Sequence, residues 1–272
     1  MPGCGTASTE TASQPGRRAV EWRIMKRGDA TVIAITAGLA VAVVAAVAFS
    51  LLVLDRNPRP TETAANSSSS LLVVTWGPSL CKVEPSNTGC RSGHVGSLGQ
   101  TFVLHGLWPQ PSTEQYCDVP KGTPDRDRTP VALPSDLQAS LKTMMSDSAL
   151  MTTHEWYAHG TCSGVAPPDY FGVAAALADQ AATVLDPMFQ NAAGRRLSAR
   201  SVRDAVDTQL GAGTGTRVGL TCRDASGAGS IVYEVRFSLP PIAQLHRDSP
   251  SLAEALTRGP TVAPGCGQAG VP

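Results

Sequence analysis

Residues 30–54 carry no charged side chain, and the stretch AVAVVAAVAFSLLVL within them is almost wholly apolar. That length matches what a helix needs to cross a hydrocarbon layer about 30 Å thick. No globular core can start inside such a run. The chain therefore divides into a tail (residues 1–29), an apolar segment and a large remainder. Arg17, Arg18, Arg23, Lys26 and Arg27 lie just before the segment, and cations clustered there stay on the cytoplasmic side. The reading is a single-pass signal anchor at 30–54, with the remainder outside the cytoplasm. A cleaved secretory signal is the alternative, with Ala46-Val47-Ala48 as its processing box. Signal cores usually run to only about 7–15 residues, shorter than this one. Either route exports the remainder.

Cysteine usage agrees with export. Cys4 precedes the apolar run, whereas Cys81, Cys90, Cys117, Cys162, Cys222 and Cys266 all lie beyond it. An even number in an exported domain points to a disulfide framework. No two of them form a C-x-x-C pair, which argues against a structural zinc site. From Leu71 onward 15 Lys and Arg face 17 Asp and Glu, a net charge of −2. Proteins that coat duplex DNA are normally basic, because each phosphate engaged calls for a cation. Duplex DNA is thus excluded as a partner, and the site expected meets a few phosphates at a time.

Residues 55–70, DRNPRPTETAANSSSS, are polar and rich in Pro and Ser, as in a flexible tether. The globular domain is expected over 71–272. LLVVTW reads as a strand ended by Gly77-Pro78, and TFVL (residues 101–104) as a second strand feeding into HGLWPQ. PDRDRTP (residues 124–130) reads as a loop. Asp136 opens a helix with Leu137, Leu141 and Met144 on one face. Asp169 opens another, expected to run until Pro187. Ser198 and Gly211 bracket a third. IVYEVRFSL, with Ile231, Tyr233, Val235, Phe237 and Leu239 in alternation, predicts a strand with one buried face. Helices in the middle and strands at both ends predict an α+β domain.

THEWYAHGTCSG (residues 153–164) gathers two histidines, a carboxylate, two aromatics and a cysteine. Its spacing is H-E-x-x-x-H, one residue longer than the zinc-protease H-E-x-x-H. On a helix Glu155 and His159 fall about 40° apart, but His154 and His159 about 140° apart. The spacing therefore predicts that the two histidines do not share a metal ion. A carboxylate and an imidazole on one face suit acid–base chemistry, which needs a second proton carrier. His105 is the candidate: it follows a strand directly, Gly106 frees the backbone, Pro109 stiffens the exit, and Trp108 offers a flat face. His94 and His246 read as surface residues, and Trp156 and Tyr157 as core. One imidazole as base and one as acid equip a site for in-line attack on a phosphodiester. In RNA the 2′-OH is an internal nucleophile, so neither metal nor cofactor is needed. The residues alone support an acid–base hydrolase and go no further.

FVLHGLWPQ and HEWYAHGTC together resemble the two catalytic segments of the ribonuclease T2 family, in the same order and about fifty residues apart. VTWGPSLC is similar to the family's first strand and following cysteine, so the likeness spans roughly residues 71–266. It implies an α+β fold, a central antiparallel sheet flanked by helices. It implies a metal-independent endoribonuclease cleaving single-stranded RNA through 2′,3′-cyclic phosphates. The chain is expected to act as a monomer. By position, His105 is the general acid and His159 the base. Glu155 orients the phosphate site, His154 holds the phosphate, and Trp108 contributes to a base pocket. Gln110 stands where some members carry an acid that reads the base. The resemblance also selects the pairs Cys81–Cys90, Cys117–Cys162 and Cys222–Cys266. One departure matters: the family's Lys before the second catalytic histidine is Ala158 here. Loss of that cation keeps a second reading open, an RNA- or nucleotide-binding ectodomain without catalysis.

Overall fold

LLVVTW does form a strand, β1 (Ser69–Trp76), and it lies between β2 (Phe102–Gln110) and β5 (Gly229–Leu239), antiparallel to both. The computed structural model describes Ile35, residues 40–47 and residues 67–272, in two compact units, Met1–Asn57 and Pro58–Pro272. The sheet is completed by β3 (Arg196–Ser198), β4 (Val218–Ala225) and β6 (Gln268–Gly270), in the order β2-β1-β5-β6-β3 with β4 also paired to β5. All pairings are antiparallel except β5 with β6. The family-implied α+β architecture is thus the one observed. Ser69 and Ser70, expected in the tether, belong to β1. The buried Ser70 hydroxyl donates to the Pro240 carbonyl at 2.7 Å.

One face of the sheet carries Leu72, Val74, Trp76, Leu104, Leu107, Val235 and Phe237 into the main core. The covering helix, α6 (Pro167–Ala192), buries Phe171, Leu177, Leu185 and Phe189 there. On the other face Val103 and Tyr233 pack with Leu80 of α1 (Gly77–Val83) and Val95 of α3 (His94–Ser97). The short α2 (Thr88–Arg91) lies between these helices in sequence.

Two β-bulges set which residues leave the main core. Val73 pairs with Gly106 but Val74 with Leu104, so His105 is an extra residue in β2. Thr221 pairs with Glu234 but Cys222 with Val232, so Tyr233 is an extra residue in β5. An extra residue shifts the side-chain alternation by one. His105 and Trp108, three apart, can then share a face, as can Tyr233, Glu234 and Arg236. This corrects the expectation of unbroken alternation in IVYEVRFSL: Val232 enters the main core and Tyr233 the opposite cluster.

The remaining helices are α4 (Ser135–Met144), α5 (Ser148–Ala158), α7 (Ala199–Leu210), α8 (Ile242–Asp248) and α9 (Leu252–Arg258). Ser198 caps α7 by accepting from the Ser201 amide at 3.0 Å, and Gly211 at φ 109° ends it, as its sequence predicts. Pro187 does not end α6. An interior proline costs about 3 kcal/mol, which burial of Phe189 and Ala192 beyond it offsets. In the first unit, residues 40–47 are helical, and Val41, Val43, Val44 and Val47 are each more than half exposed. Among the described residues no helix is long and apolar enough to cross a membrane. Most of the expected anchor and most of the tether lie outside the described residues.

Candidate active site

HGLWPQ is strand, not an exit loop, and the bulge turns His105 off the main core. Its Nδ1 lies 3.1 Å from Oε1 of Glu234 on β5, and its Nε2 lies 3.8 Å from Oε1 of Glu155. Glu234 is itself buried, and its Oε2 accepts from Arg236 Nη2 at 2.8 Å and Nε at 3.2 Å. Burial alone would lower the pKa of His105. The bond to Glu234 and the charges of Glu155, Glu234 and Glu84 outweigh it, leaving His105 above the ordinary imidazole value. These surroundings favour the imidazolium form of His105, a proton donor.

Glu155 comes from α5, whose N-cap Asp147 accepts from the Leu150 amide at 3.2 Å. Its side chain is fully buried, with Oε2 accepting from Trp108 Nε1 at 2.9 Å. Burial raises its pKa, and the charges of His105 and His154 and the Trp108 bond work against that rise. Gly106 permits the approach: a Cβ there would sit 1.8 Å from Glu155 Oε2. The Trp108 indole stacks on His159 at 5.2 Å and 28°, and stands edge-on to His105 at 5.1 Å and 81°. One ring therefore spaces the two imidazoles. Burial, then the charges of His154 and His105, hold His159 down at about 3, so it is neutral and able to accept a proton. Environments that push two groups apart in this way assign acid and base. Glu155 Oε1 and His159 Nδ1 are buried without hydrogen-bond partners among the described residues, as are Trp76 Nε1 and Arg128 Nε, and a catalytic role is one explanation for such atoms.

His154 and His159 are not held apart as a continuous helix would hold them. α5 ends at Ala158, and His159 leaves the helical path at φ −127°, ψ −47°. His154, Glu155 and His159 consequently offer ligand atoms all within 4.8 Å of one another. Tetrahedral zinc ligands, at about 2.0–2.1 Å from the ion, stand roughly 3.3 Å apart, a spacing that lies within that bound. Ala158 is 2 % exposed, and its carbonyl accepts from the Tyr116 amide at 3.0 Å. The disulfide Cys117–Cys162 ties that loop to the turn after His159. Closing its 45-residue separation is worth about 4 kcal/mol in the chain-entropy picture. Cys81–Cys90 and Cys222–Cys266 are also bonded, the same three pairs the resemblance implies. His154 Nδ1 meets Asp125 Oδ2 at 2.8 Å.

Gln110 sits at the end of β2 and turns its amide to the Pro109 carbonyl at 3.0 Å. It makes no hydrogen bond to the histidines. His94 binds the Met145 carbonyl at 3.2 Å, and His246 lies 3.8 Å from Asp169, both away from the cluster. Glu234, Arg236 and Asp125 escaped sequence reasoning. The buried charge in YEVRF is a usable signal for the first two, because a strand facing a core seldom carries Glu unpaired.

A disulfide-braced α+β domain with two imidazoles of opposed pKa around one carboxylate has the groups that acid–base chemistry needs. The chain belongs to the ribonuclease T2 family, whose model matches residues 68–251. It is 32% identical over 158 residues to ribonuclease MC of Momordica charantia, covering 56% of this chain and 77% of that protein. Ribonuclease 1 of Arabidopsis thaliana is 29% identical over 56% of this chain and 70% of its own length. Among solved structures, RNase NT in complex with 5′-AMP superposes with a TM-score of 0.51 at 20% identity, covering 65% of this chain and 88% of that one.

Proposed function

We propose that this endoribonuclease cleaves single-stranded RNA by transphosphorylation, with His159 as base and His105 as acid. Neutral His159 takes the proton of the 2′-OH, and the oxygen attacks the adjacent phosphorus. The bond to the 5′-oxygen breaks as His105 delivers its proton there. The products are a 2′,3′-cyclic phosphate and a 5′-hydroxyl end. Glu234 and then Glu155 favour the charged form of His105, and Glu155, through Trp108, sets the spacing of the two rings. His154 meets a phosphate oxygen. Arg236, 5.7 Å from the Trp108 ring centre, supplies the cation for which Ala158 offers none. The observation that carries the reading is the placing of two imidazoles on one indole in opposite electrostatic surroundings. Ribonuclease MC and ribonuclease 1, matched over more than two thirds of their lengths, carry the name of this activity.

The reaction uses no metal, and a chelator should leave the rate unchanged; loss of activity on chelation would give the His154–Glu155–His159 cluster to an ion instead. The decisive assay is cleavage of a single-stranded oligoribonucleotide by the purified protein. Binding without cleavage would favour the ectodomain that only holds RNA, the reading Ala158 supports. The domain works as a monomer outside the cytoplasm, anchored through residues 30–54. Protease added to intact cells should remove the chain from Leu71 onward and spare the tail. A mature chain starting near Phe49 would overturn the anchor.

A further inference from the structure

The segment PDRDRTP, unremarkable as sequence, makes contacts that a passive loop has no need of. Asp125 opens a 3₁₀ turn, Asp125–Asp127, and its Oδ2 takes His154 Nδ1 at 2.8 Å. Its other oxygen, Oδ1, lies 3.6 Å from Arg128 Nε. Arg128 is buried in turn, its side chain 4% exposed. The guanidinium lies 5.3 Å from the Tyr116 ring centre and 4.7 Å from that of Tyr157, and donates to the Pro120 carbonyl at 2.7 Å. Tyr157 and His154 belong to α5, and the Tyr157 hydroxyl donates to the Thr129 carbonyl at 3.1 Å. The loop is thus keyed to the catalytic helix at both of those residues.

A buried arginine is costly unless its charge is used, and here its charge lies 3.6 Å from a carboxylate that meets an imidazole. An acceptor at Nδ1 places the proton on that nitrogen and fixes the ring's direction, as outer partners do for functional histidines. Nε2 of His154 has no hydrogen-bond partner among the described residues, and the ring stands edge-on to His159 with centroids 6.3 Å apart. We infer that Asp125, paired with Arg128, is a positioning residue that aims His154 Nε2 at the substrate phosphate. The inference rests on the acid–base reading above, in which His154 meets a phosphate oxygen. It goes beyond that reading by assigning the loop a share in phosphate binding.

A double-mutant cycle on the full chain separates this role from a general structural one. Asp125→Asn keeps the size of the side chain and removes its charge, and His154→Ala removes the ring it aims. Affinity for a 5′-mononucleotide, measured by calorimetry, and KM and kcat on a single-stranded oligoribonucleotide are the readouts. Asp125→Asn should weaken mononucleotide binding about tenfold and raise KM by a similar factor, with a smaller change in kcat. In the His154→Ala background the same substitution should have almost no effect, because residues acting through one another do not add. Asp125→Glu should recover part of the loss. Equal losses from Asp125→Asn with and without His154, or an unchanged affinity, would overturn the inference while leaving the ribonuclease reading intact. A wild-type protein that neither cleaves RNA nor binds the mononucleotide would overturn both.

Discussion

Replacing Gly106 by alanine tests the packing that holds the site together. The added Cβ would lie 1.8 Å from Glu155 Oε2, 2.6 Å from its Cδ and 2.7 Å from Trp108 Nε1. Ordinary contact begins near 3.4 Å, so the buried carboxylate must retreat by about 1.6 Å. That movement breaks the bond from Trp108, and hydrogen bonds to charged groups are worth about 1.5–3 kcal/mol. At 1.36 kcal/mol per decade this corresponds to roughly 10- to 150-fold in rate. A misplacement of about 1 Å at a reacting centre can itself cost about 10²-fold. We therefore expect kcat/KM for a single-stranded oligoribonucleotide to fall about 100-fold in Gly106→Ala. The pH profile adds a second readout. Glu155 is one of the charges holding His105 above the ordinary imidazole value, so its retreat should move the alkaline limb to lower pH. Activity within threefold of wild type, with that limb unmoved, would refute the reasoning.

His105→Ala and His159→Ala should each abolish nearly all cleavage, and the double variant should be little worse, because acid and base act as a unit. Wild-type kcat/KM should fall as pH drops towards the low pKa of His159, about 3, which must stay neutral to accept a proton. It should also fall as pH rises through the raised pKa of His105, which must stay charged to donate one; a profile without an alkaline limb would contradict the assignment. Arg236→Gln should lower kcat by about 10²-fold, the usual cost of losing one preorganised donor to transition-state charge. Ala158→Lys in the wild type should leave kcat unchanged and lower Tm, since that side chain is 2 % exposed; a rise in kcat would mean that Arg236 does not fill the role.

The two histidine segments and the α+β class were legible because short, dense patterns carry them: HGLWPQ, HEWYAHGTC, and helices bracketed by caps and glycine. The contacts that tune the site were not, for physical reasons. Bulges at His105 and Tyr233 depend on how one strand meets another, and no periodicity within a single strand announces them. Unbroken alternation in β5 therefore puts Tyr233 on the wrong face. Extending α5 through His159 gives an angle that the real C-cap does not obey, and with it a false separation of His154 from His159. Glu234 and Asp125 come from segments 129 and 29 residues away from the histidines they touch. Tertiary folding alone brings them there. Local propensity ends α6 at Pro187 because it leaves out the apolar burial of Phe189 and Ala192 beyond that residue.

The central claim is that an RNA 2′-hydroxyl, activated by His159, is the nucleophile, and its most direct test is a product analysis on two oligoribonucleotides. One is all-ribose and single-stranded; the other carries 2′-deoxyribose at the nucleotide on the 5′ side of the scissile phosphate. The account predicts 2′,3′-cyclic phosphate and 5′-hydroxyl ends, resolved by mass spectrometry, from the first. It predicts an intact phosphodiester at the modified position in the second. Cleavage at that 2′-deoxy position, or 5′-phosphate ends from the first, would contradict it.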